Sequence, residues 1–199
     1  MIRHLLLLLA LAAPALSAQQ AAPLAPYAGT KVAVVPVQFF HVDSSGWGAP
    51  SGLVLRAAFD SLLSEALNEH GLGGTWATPV EVQRAARRNV MYAGDPRNLG
   101  AFPVRYGTKK ETPLADPFAS NLRRIVALHD ARYALVPVEL HVNAEKSGGG
   151  HLGVRLLLVD ARLSSAVWQV DLIGESAASY TPALLLKLAT RVADLVVAP

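Results

Sequence analysis

The sequence contains no cysteine in its 199 residues. This absence excludes disulfide bonds, metal sites built on thiolates, and attachment to a membrane through a lipidated N-terminal cysteine. The fold must therefore be stabilised by its hydrophobic core. A hydrophobic content of 52% supplies enough apolar material for one in a chain of this length.

Long apolar runs are scarce, and the one that stands out lies at the start of the chain. Residues 5–16 are almost continuously apolar, Arg3 precedes them, and the small residues Ala15, Ser17 and Ala18 mark their end. The run is shorter than the roughly 20 residues that a membrane-spanning helix needs. It predicts a cleaved secretory signal peptide over residues 1–18. We expect a periplasmic or secreted protein that is not a lipoprotein and has no transmembrane span after cleavage.

Motifs that identify common enzymes are also missing. The sequence contains no Gly-x-Ser-x-Gly, no His-Glu-x-x-His and no calcium loop, and neither Gly-Lys-Ser/Thr nor Gly-x-Gly-x-x-Gly follows the first predicted strand. We therefore expect a non-enzymatic protein without a cofactor. The alternative is a secreted hydrolase or a small-ligand-binding protein whose pocket residues are scattered along the chain.

Beyond the signal, residues 19–30 form an extended lead-in rich in alanine and proline, and residues 31–199 are predicted to form a single α/β domain. A first strand is expected at 32–37, with a loop over 41–50 after it. An amphipathic helix over 51–70 then follows. Its predicted inner side includes Leu55, Phe59, Leu62, Leu63, Ala66 and Leu67, and its predicted solvent side includes Arg56, Asp60, Ser64 and Glu65.

Three further helices have clear start signals. Thr78 and Glu81 form a capping box after a short strand at 74–77, which predicts a helix to about residue 91. Asp116-Pro117 opens the next helix, and Thr181-Pro182 opens the last one.

Between these last two helices, three strands at 132–146, 151–162 and 166–174 are joined by hairpin-length turns. The element order is strand, helix, strand, two helices, three-strand meander and helix, which predicts a mixed sheet of about five strands. Pro36 and Pro137 interrupt two of these strands. Because proline cannot donate to a strand ladder, each is expected at an edge, a bulge or a strand end.

Strict alternation along the meander predicts one apolar face and one face that becomes polar toward the turn at Gly148. The apolar face would include Ala134, Val136, Val138, Leu140 and Val142. The polar side chains define a candidate exposed surface, which we call the hairpin face: Glu139, His141, His151, Arg155 and Asp171. Symmetric turns would place Arg155 between His141 and Asp171. The histidines, Glu139 and Asp171 are of types that bind zinc, but their positions do not converge as a metal site requires, so no metal is expected.

Basic residues are concentrated between residues 84 and 110, from the second predicted helix into the loop after it, with Asp95 as the only acid among them. This basic stretch comprises Arg84, Arg87, Arg88, Arg97, Arg105, Lys109 and Lys110. On the helix, the first three share one side. The pattern fits either a plain solvated surface or a surface that binds an anionic component of the cell envelope. A secretory address makes nucleic acid an unexpected partner.

Four phrases of the sequence together resemble a bacterial envelope domain. They are KVAVVPV at 31–37, ARYALVPV at 131–138, LLLVDAR at 156–162, and Val167-Trp168. In this order the chain resembles the amino-terminal domain of TolB and the related CsgG-like curli-assembly and penicillin-binding-protein-activator lipoproteins. The resemblance implies a non-catalytic module that binds an envelope protein or an anionic envelope component through a sheet edge, the hairpin or the basic loop. The chain departs from the lipoprotein members because it lacks their cysteine, and no site residue carries over.

Overall fold

The computed structural model describes residues 22–42, 47–145 and 148–197. Its strands are β1 (Val32–Val34), β2 (Phe39–Val42), β3 (Trp76–Ala77), β4 (Tyr133–Ala144), β5 (Gly150–Asp160) and β6 (Ser165–Ile173). Its helices are α1 (Gly52–Glu69), α2 (Pro79–Arg88), α3 (Phe118–Ala127) and α4 (Pro182–Asp194), and short 3-10 helices cover Ala25–Tyr27 and Phe102–Tyr106. The predicted signal peptide over 1–18 and Ser147 of the first hairpin turn lie outside the described residues.

The strands form one mixed sheet in the order β3, β1, β4, β5, β6, and β2 pairs with β4 beyond the end of β1. β1 runs parallel to β3 and β4, and β2 runs parallel to β4. β4, β5 and β6 form an antiparallel meander. The predicted α/β class and the meander are confirmed. The sheet has six strands in the described residues rather than about five, because β2 is separate from β1.

Helices cover both faces of this sheet. Phe59 of α1 and Leu188 of α4 are fully buried on one face, and Leu122 and Ile125 of α3 are buried on the other. Burial on both faces explains why the parallel strands read as unbroken apolar runs. None of the helices in the described ranges is long and apolar enough to cross a bilayer.

The predicted first strand is divided at Pro36. The pairing with β4 changes from Val34 opposite Leu135 to Phe39 opposite Glu139. The segment from β1 to β2 therefore has one residue more than the facing part of β4 in this interval. Proline cannot donate to the ladder, which is why the strand is interrupted there. The prediction of a loop from residue 41 is wrong, because His41 and Val42 belong to β2.

The predicted apolar face of the meander is wrong along β4. The register of β4 and β5 shifts between Pro137 and Glu139, which is a β-bulge. Before it, Ala134 and Val136 pack with α2 and α3; after it, Leu140 packs with α1 and α4. One extra residue reverses the side that each following side chain faces. Both prolines therefore lie where a proline in a strand was expected.

The start signals of the helices are confirmed. Thr78 accepts a hydrogen bond from the Glu81 amide, and the Glu81 carboxylate accepts one from the Thr78 amide at 2.8 Å. α2 ends at Arg88 rather than near residue 91, since Asn89 leaves the helical conformation and its side chain donates to the carbonyl of Ala85.

The described part of the predicted lead-in is packed on the domain instead of extended. Leu24 is fully buried, and its amide donates to the carbonyl of Leu195 just after α4. The ring of Tyr27 contacts that of Tyr133 edge-on. The ordered domain therefore includes residues before 31.

Replacing Phe59 with alanine tests the packing of α1. Phe59 is fully buried, so Phe59→Ala should lower the free energy of unfolding by about 3 to 5 kcal/mol in urea titrations. Leu53 lies on the same helix but is 71% exposed, so Leu53→Ala should change it by less than about 0.5 kcal/mol. Equal losses in the two variants would contradict the orientation of the helix.

Candidate anion-binding cleft

The connections that follow β1 and β3 lie on opposite faces of the sheet. α1 leads from the β1–β2 side of the sheet to β3 on one face, whereas α2 and α3 lead from β3 to β4 on the other. In open α/β sheets such a reversal leaves a crevice at the carboxyl ends of the strands, and ligands commonly bind there. In this protein a space lies between α1 and α2, and Asp60 on its lining contacts Val37 in the segment that follows β1.

A buried carboxylate lies at the floor of this space. Asp60 of α1 is 1% exposed. Its Oδ1 accepts a hydrogen bond from the Val37 amide at 3.0 Å, and its Oδ2 accepts one from Arg97 Nη2 at 2.6 Å. Burial raises the pKa of Asp60 to about 6, against the opposing effects of the Val37 amide and Arg97. The carboxylate therefore joins α1 to the end of the first strand and to the loop that carries Arg97.

The peptide groups around Val37 are held from both sides. Arg56 Nη2 donates to the Val37 carbonyl at 2.8 Å, while Asp60 accepts from the Val37 amide. Burial and the nearby charge of Arg97 hold the pKa of Arg56 below its usual value. The Nε atoms of Arg56 and Arg97 are buried and have no hydrogen-bond partner in the described part of the chain.

Gln38 fixes the loop that carries Arg97. Its Nε2 donates to the carbonyls of Pro36 and Pro96, and its Oε1 accepts from the Leu99 amide at 3.1 Å. Because Gln38 is itself buried, these bonds are shielded from water. The loop is thereby tied to the strand on both sides of Arg97.

Four arginines surround the cavity above Asp60. It measures about 520 Å³, lies between α1 and α2, and is lined by Ala57, Asp60, Ser61, Val80, Gln83, Arg84, Arg87, Arg88 and Arg97. We call it the arginine cleft. A cavity of about 440 Å³ shares Gln83, Arg87 and Arg97 with it and extends toward Gly94. Another of about 440 Å³ shares Arg84 and Arg88 and reaches Lys31 and His129 across α2.

The arginines of α2 differ from Arg97 in their surroundings. Arg97 is paired with Asp60, whereas Arg84, Arg87 and Arg88 are exposed and form no ion pair among the described residues. The carboxylate of Glu81, on the same helix, is engaged by the Thr78 cap. Guanidinium groups bind carboxylates and phosphates through two parallel hydrogen bonds. The cleft can therefore hold an anion in a concave, positively charged setting.

The predicted basic stretch divides into separate locations. Arg84, Arg87, Arg88 and Arg97 come together at the arginine cleft. Arg105 instead donates to Glu139 at 2.6 Å and lies over the ring of Phe39, and Lys109 and Lys110 lie in a turn beside β6. The basic stretch is thus not one continuous surface.

The hairpin face is only partly exposed. Glu139 is 5% exposed beneath Arg105, which corrects the expectation that it faces water. Arg155 donates to both oxygens of Asp171, at 2.7 and 2.9 Å, so that predicted pair is confirmed. The strand neighbour of Arg155 on β4 is Glu139, not His141, because the turn pairs Ala144 with Gly150 and the register continues from there.

The two histidines of the hairpin face do not come together. His141 is half-buried with its Nε2 3.8 Å from Glu139, and burial lowers its pKa. His151 lies beside Asn143 and Glu145. In the described ranges, no group of three or more potential metal ligands converges.

Sequence reasoning missed the central residue of the cleft. Asp60 was expected to face solvent together with Ser64, but both are buried, and Ser64 accepts a hydrogen bond from the Val80 amide of α2. Arg56, Asp60 and Ser64 recur every fourth residue and form one polar row along α1. A second helix packed against that row is a contact that periodicity alone does not reveal.

Comparisons with known proteins assign no family. No family model and no curated protein matches the chain. Among solved structures, the chain is similar to the PelC dodecamer from Paraburkholderia phytofirmans, with 16% identity over 86% of this chain and 90% of that chain and a TM-score of 0.42. It is similar to lipoprotein GNA1162 from Neisseria meningitidis, with 14% identity, 83% and 96% coverage and a TM-score of 0.43. The hypothetical protein CT253 from Chlamydia trachomatis shows 14% identity, 85% and 99% coverage and a TM-score of 0.40. The resemblance to TolB and the CsgG-like proteins stays a prediction.

The raised pKa of Asp60 predicts how stability depends on pH. A pKa of about 6 means that the folded state binds this proton more tightly than the unfolded chain does. The contribution of Asp60 is therefore greatest below about pH 4, falls by about 3 kcal/mol as pH rises to 6, and then stays constant. Urea unfolding of the wild type and Asp60→Asn between pH 4 and 7 measures this contribution. The free energy of unfolding of the wild type minus that of Asp60→Asn should fall as the pH rises to 6.

Asp130 provides the control for this titration. Lys31 holds the pKa of Asp130 below its usual value, so the contribution of Asp130 to stability is lost only at lower pH. The difference in the free energy of unfolding between the wild type and Asp130→Asn should therefore stay level between pH 4 and 6. A difference curve for Asp60→Asn that is flat, or that matches the Asp130→Asn curve, would contradict the assignment.

Proposed function

We propose that the chain is a non-enzymatic binding or assembly module of the bacterial cell envelope, and that the arginine cleft holds an anionic component of that envelope. The observation that carries the proposal is the set of Arg84, Arg87 and Arg88, which line a cavity of about 520 Å³ and have no ion-pair partner in the described residues. The extracytoplasmic location in this proposal rests on the predicted signal peptide.

Buried carboxylates of this fold are paired with arginine. Asp60, Glu139 and Asp160 are each buried, and each is bonded to one: Arg97, Arg105 and Arg132, respectively. The arginines of α2 serve no such internal role. Like charges three and four residues apart on a helix repel and destabilise it by a few tenths of a kcal/mol. A bound anion would offset that repulsion, which supports a binding role for this side of α2.

The polar groups beneath the arginines favour binding over hydrolysis. Asp60 is engaged by the Val37 amide and Arg97, both of which donate to it. The hydroxyls of Ser61 and Ser64 donate to backbone carbonyls of α1, one turn back along the helix. A serine nucleophile needs a neighbouring base that accepts its proton, and these two hydroxyls are directed at carbonyls instead.

Binding of soluble polyanions tests the proposal. Polyphosphate presents phosphates and polygalacturonate presents carboxylates, and we expect the wild type to bind at least one of them. The variant Arg84→Gln/Arg87→Gln/Arg88→Gln should lose most of this affinity. Because fewer counterions are released, the slope of log affinity against log salt should fall by about 2. Isothermal titration at several salt concentrations measures both quantities.

A matched variant separates the cleft from net charge. Lys110, Arg124 and Arg162 are exposed cations outside the arginine cleft. Lys110→Gln/Arg124→Gln/Arg162→Gln removes the same charge and should retain most of the wild-type affinity. Equal losses in the two triple variants would contradict a specific cleft. Turnover in a panel of hydrolase substrates that is lost in Asp60→Asn would favour the hydrolase alternative.

A further inference from the structure

Three consecutive apolar side chains project into solvent directly after α2. Val90 is 69% exposed, Met91 is 98% exposed and Tyr92 is 52% exposed. We call these three residues the apolar tip. Single exposed apolar side chains are common on protein surfaces, but adjacent ones that project together mark an interaction site more often.

The tip is a defined turn. The amides of Tyr92 and Ala93 both donate to the carbonyl of Asn89 at 2.9 Å, and the Asn89 side chain donates back to Ala85 at 2.8 Å. Ala93 is 2% exposed, so the chain returns to the core immediately after the tip. The backbone thus holds the three apolar side chains in water, which is unfavourable unless something covers them.

The tip lies directly beyond the charged end of α2. Arg87 and Arg88 belong to the last turn of the helix, and Met91 follows Arg88 by three residues in the turn after it. Val90 lines the same cavity as Arg87 and Arg97. Asp95 is the acid of this segment, and its Oδ1 accepts from the Arg97 amide. An apolar projection is therefore bordered by an excess of positive charge.

We propose that the apolar tip and the three arginines of α2 form a docking surface for a membrane that contains anionic phospholipids. The side chains of Val90, Met91 and Tyr92 enter the boundary between headgroups and acyl chains, while the guanidinium groups bind lipid phosphates. Tyrosine suits this depth because its ring is apolar and its hydroxyl is polar. The inference rests on the proposed function, since it identifies the anionic component as a lipid surface.

The shape and charge of this region favour a bilayer as the partner. The apolar side chains project from a turn, so they can enter a soft interface without a complementary pocket. The neighbouring arginines have long apolar stems and charged ends, which allows them to reach the headgroups while the tip is inserted. Each basic side chain near such a surface strengthens binding about fivefold.

The absence of native cysteine permits a direct test of insertion. The single cysteine of Met91→Cys is labelled with an environment-sensitive fluorophore. The labelled protein is then mixed with vesicles that contain about 30 mol% phosphatidylglycerol in phosphatidylcholine. We expect a blue shift on these vesicles that high salt reverses, and none on pure phosphatidylcholine. Leu163 is 67% exposed in the β5–β6 turn, so labelled Leu163→Cys is the matched control and should show no shift.

Vesicle sedimentation with unlabelled variants completes the test. Val90→Ser/Met91→Ser should bind the anionic vesicles about tenfold more weakly than the wild type, yet bind soluble polyphosphate with unchanged affinity. Arg84→Gln/Arg87→Gln/Arg88→Gln should lose both activities. Leu163→Ser should retain both.

The outcomes distinguish the two proposals. Polyphosphate binding through the arginines without vesicle binding, or vesicle binding that is unchanged in Val90→Ser/Met91→Ser, overturns the membrane docking surface and leaves the proposed function in place. A fluorophore at residue 91 that stays in water on bound vesicles also overturns it. If the wild type binds neither soluble polyanions nor vesicles, both proposals are overturned together.

Discussion

The cleft depends on how the charge of Asp60 is compensated after it leaves water. Transfer of a carboxylate into a protein interior costs several kcal/mol unless hydrogen bonds and an opposite charge replace its hydration. Here the Val37 amide and Arg97 provide part of that replacement, at 3.0 and 2.6 Å, and burial still raises the pKa of Asp60 to about 6. Since the three partners belong to α1, the link between β1 and β2, and the loop after α2, these contacts of one charge hold three segments together. The walls of the arginine cleft are fixed by the same contacts.

Two prolines determine which side chains reach each face of the sheet. Pro36 separates β1 from β2, and the bulge after Pro137 reverses the facing of the residues that follow in β4. As a result Leu140 packs with α1 and α4, while Glu139 lies on the opposite side under Arg105. A ladder without the bulge would place Leu140 on the polar side of the hairpin. The bulge therefore keeps the core continuous and brings a carboxylate to Arg105.

The arginines of this protein serve two physical purposes. Arg97, Arg105 and Arg132 neutralise buried carboxylates, and their charges are absorbed by the fold. Those of α2 face outward beside a cavity and add to the field of the surface. Only the second kind attracts an external anion, because a cation that is already paired in low dielectric offers little potential to a ligand. The proposed binding role and the membrane docking surface both follow from this division.

The local signals of the sequence determined much of the fold. The capping box at Thr78 and the proline-initiated helices depend on contacts within one turn, and the hairpin-linked meander depends on neighbouring strands, so composition and spacing were sufficient to predict them. Helical spacing was also sufficient to predict that Arg84, Arg87 and Arg88 share one side of α2.

Tertiary structure decided the facing of side chains after each irregularity and the burial of polar groups between elements. Alternation along β4 could not reveal a bulge, because one extra residue leaves no mark on the hydrophobic pattern before it. Asp60 was assigned to solvent because its row on α1 is polar, yet α2 and the loop that carries Arg97 cover that row. Residues 37 positions apart meet at Asp60 and Arg97, and no local pattern encodes such a contact. The cost of burying this charge is reduced by groups that only the assembled fold brings within hydrogen-bond distance.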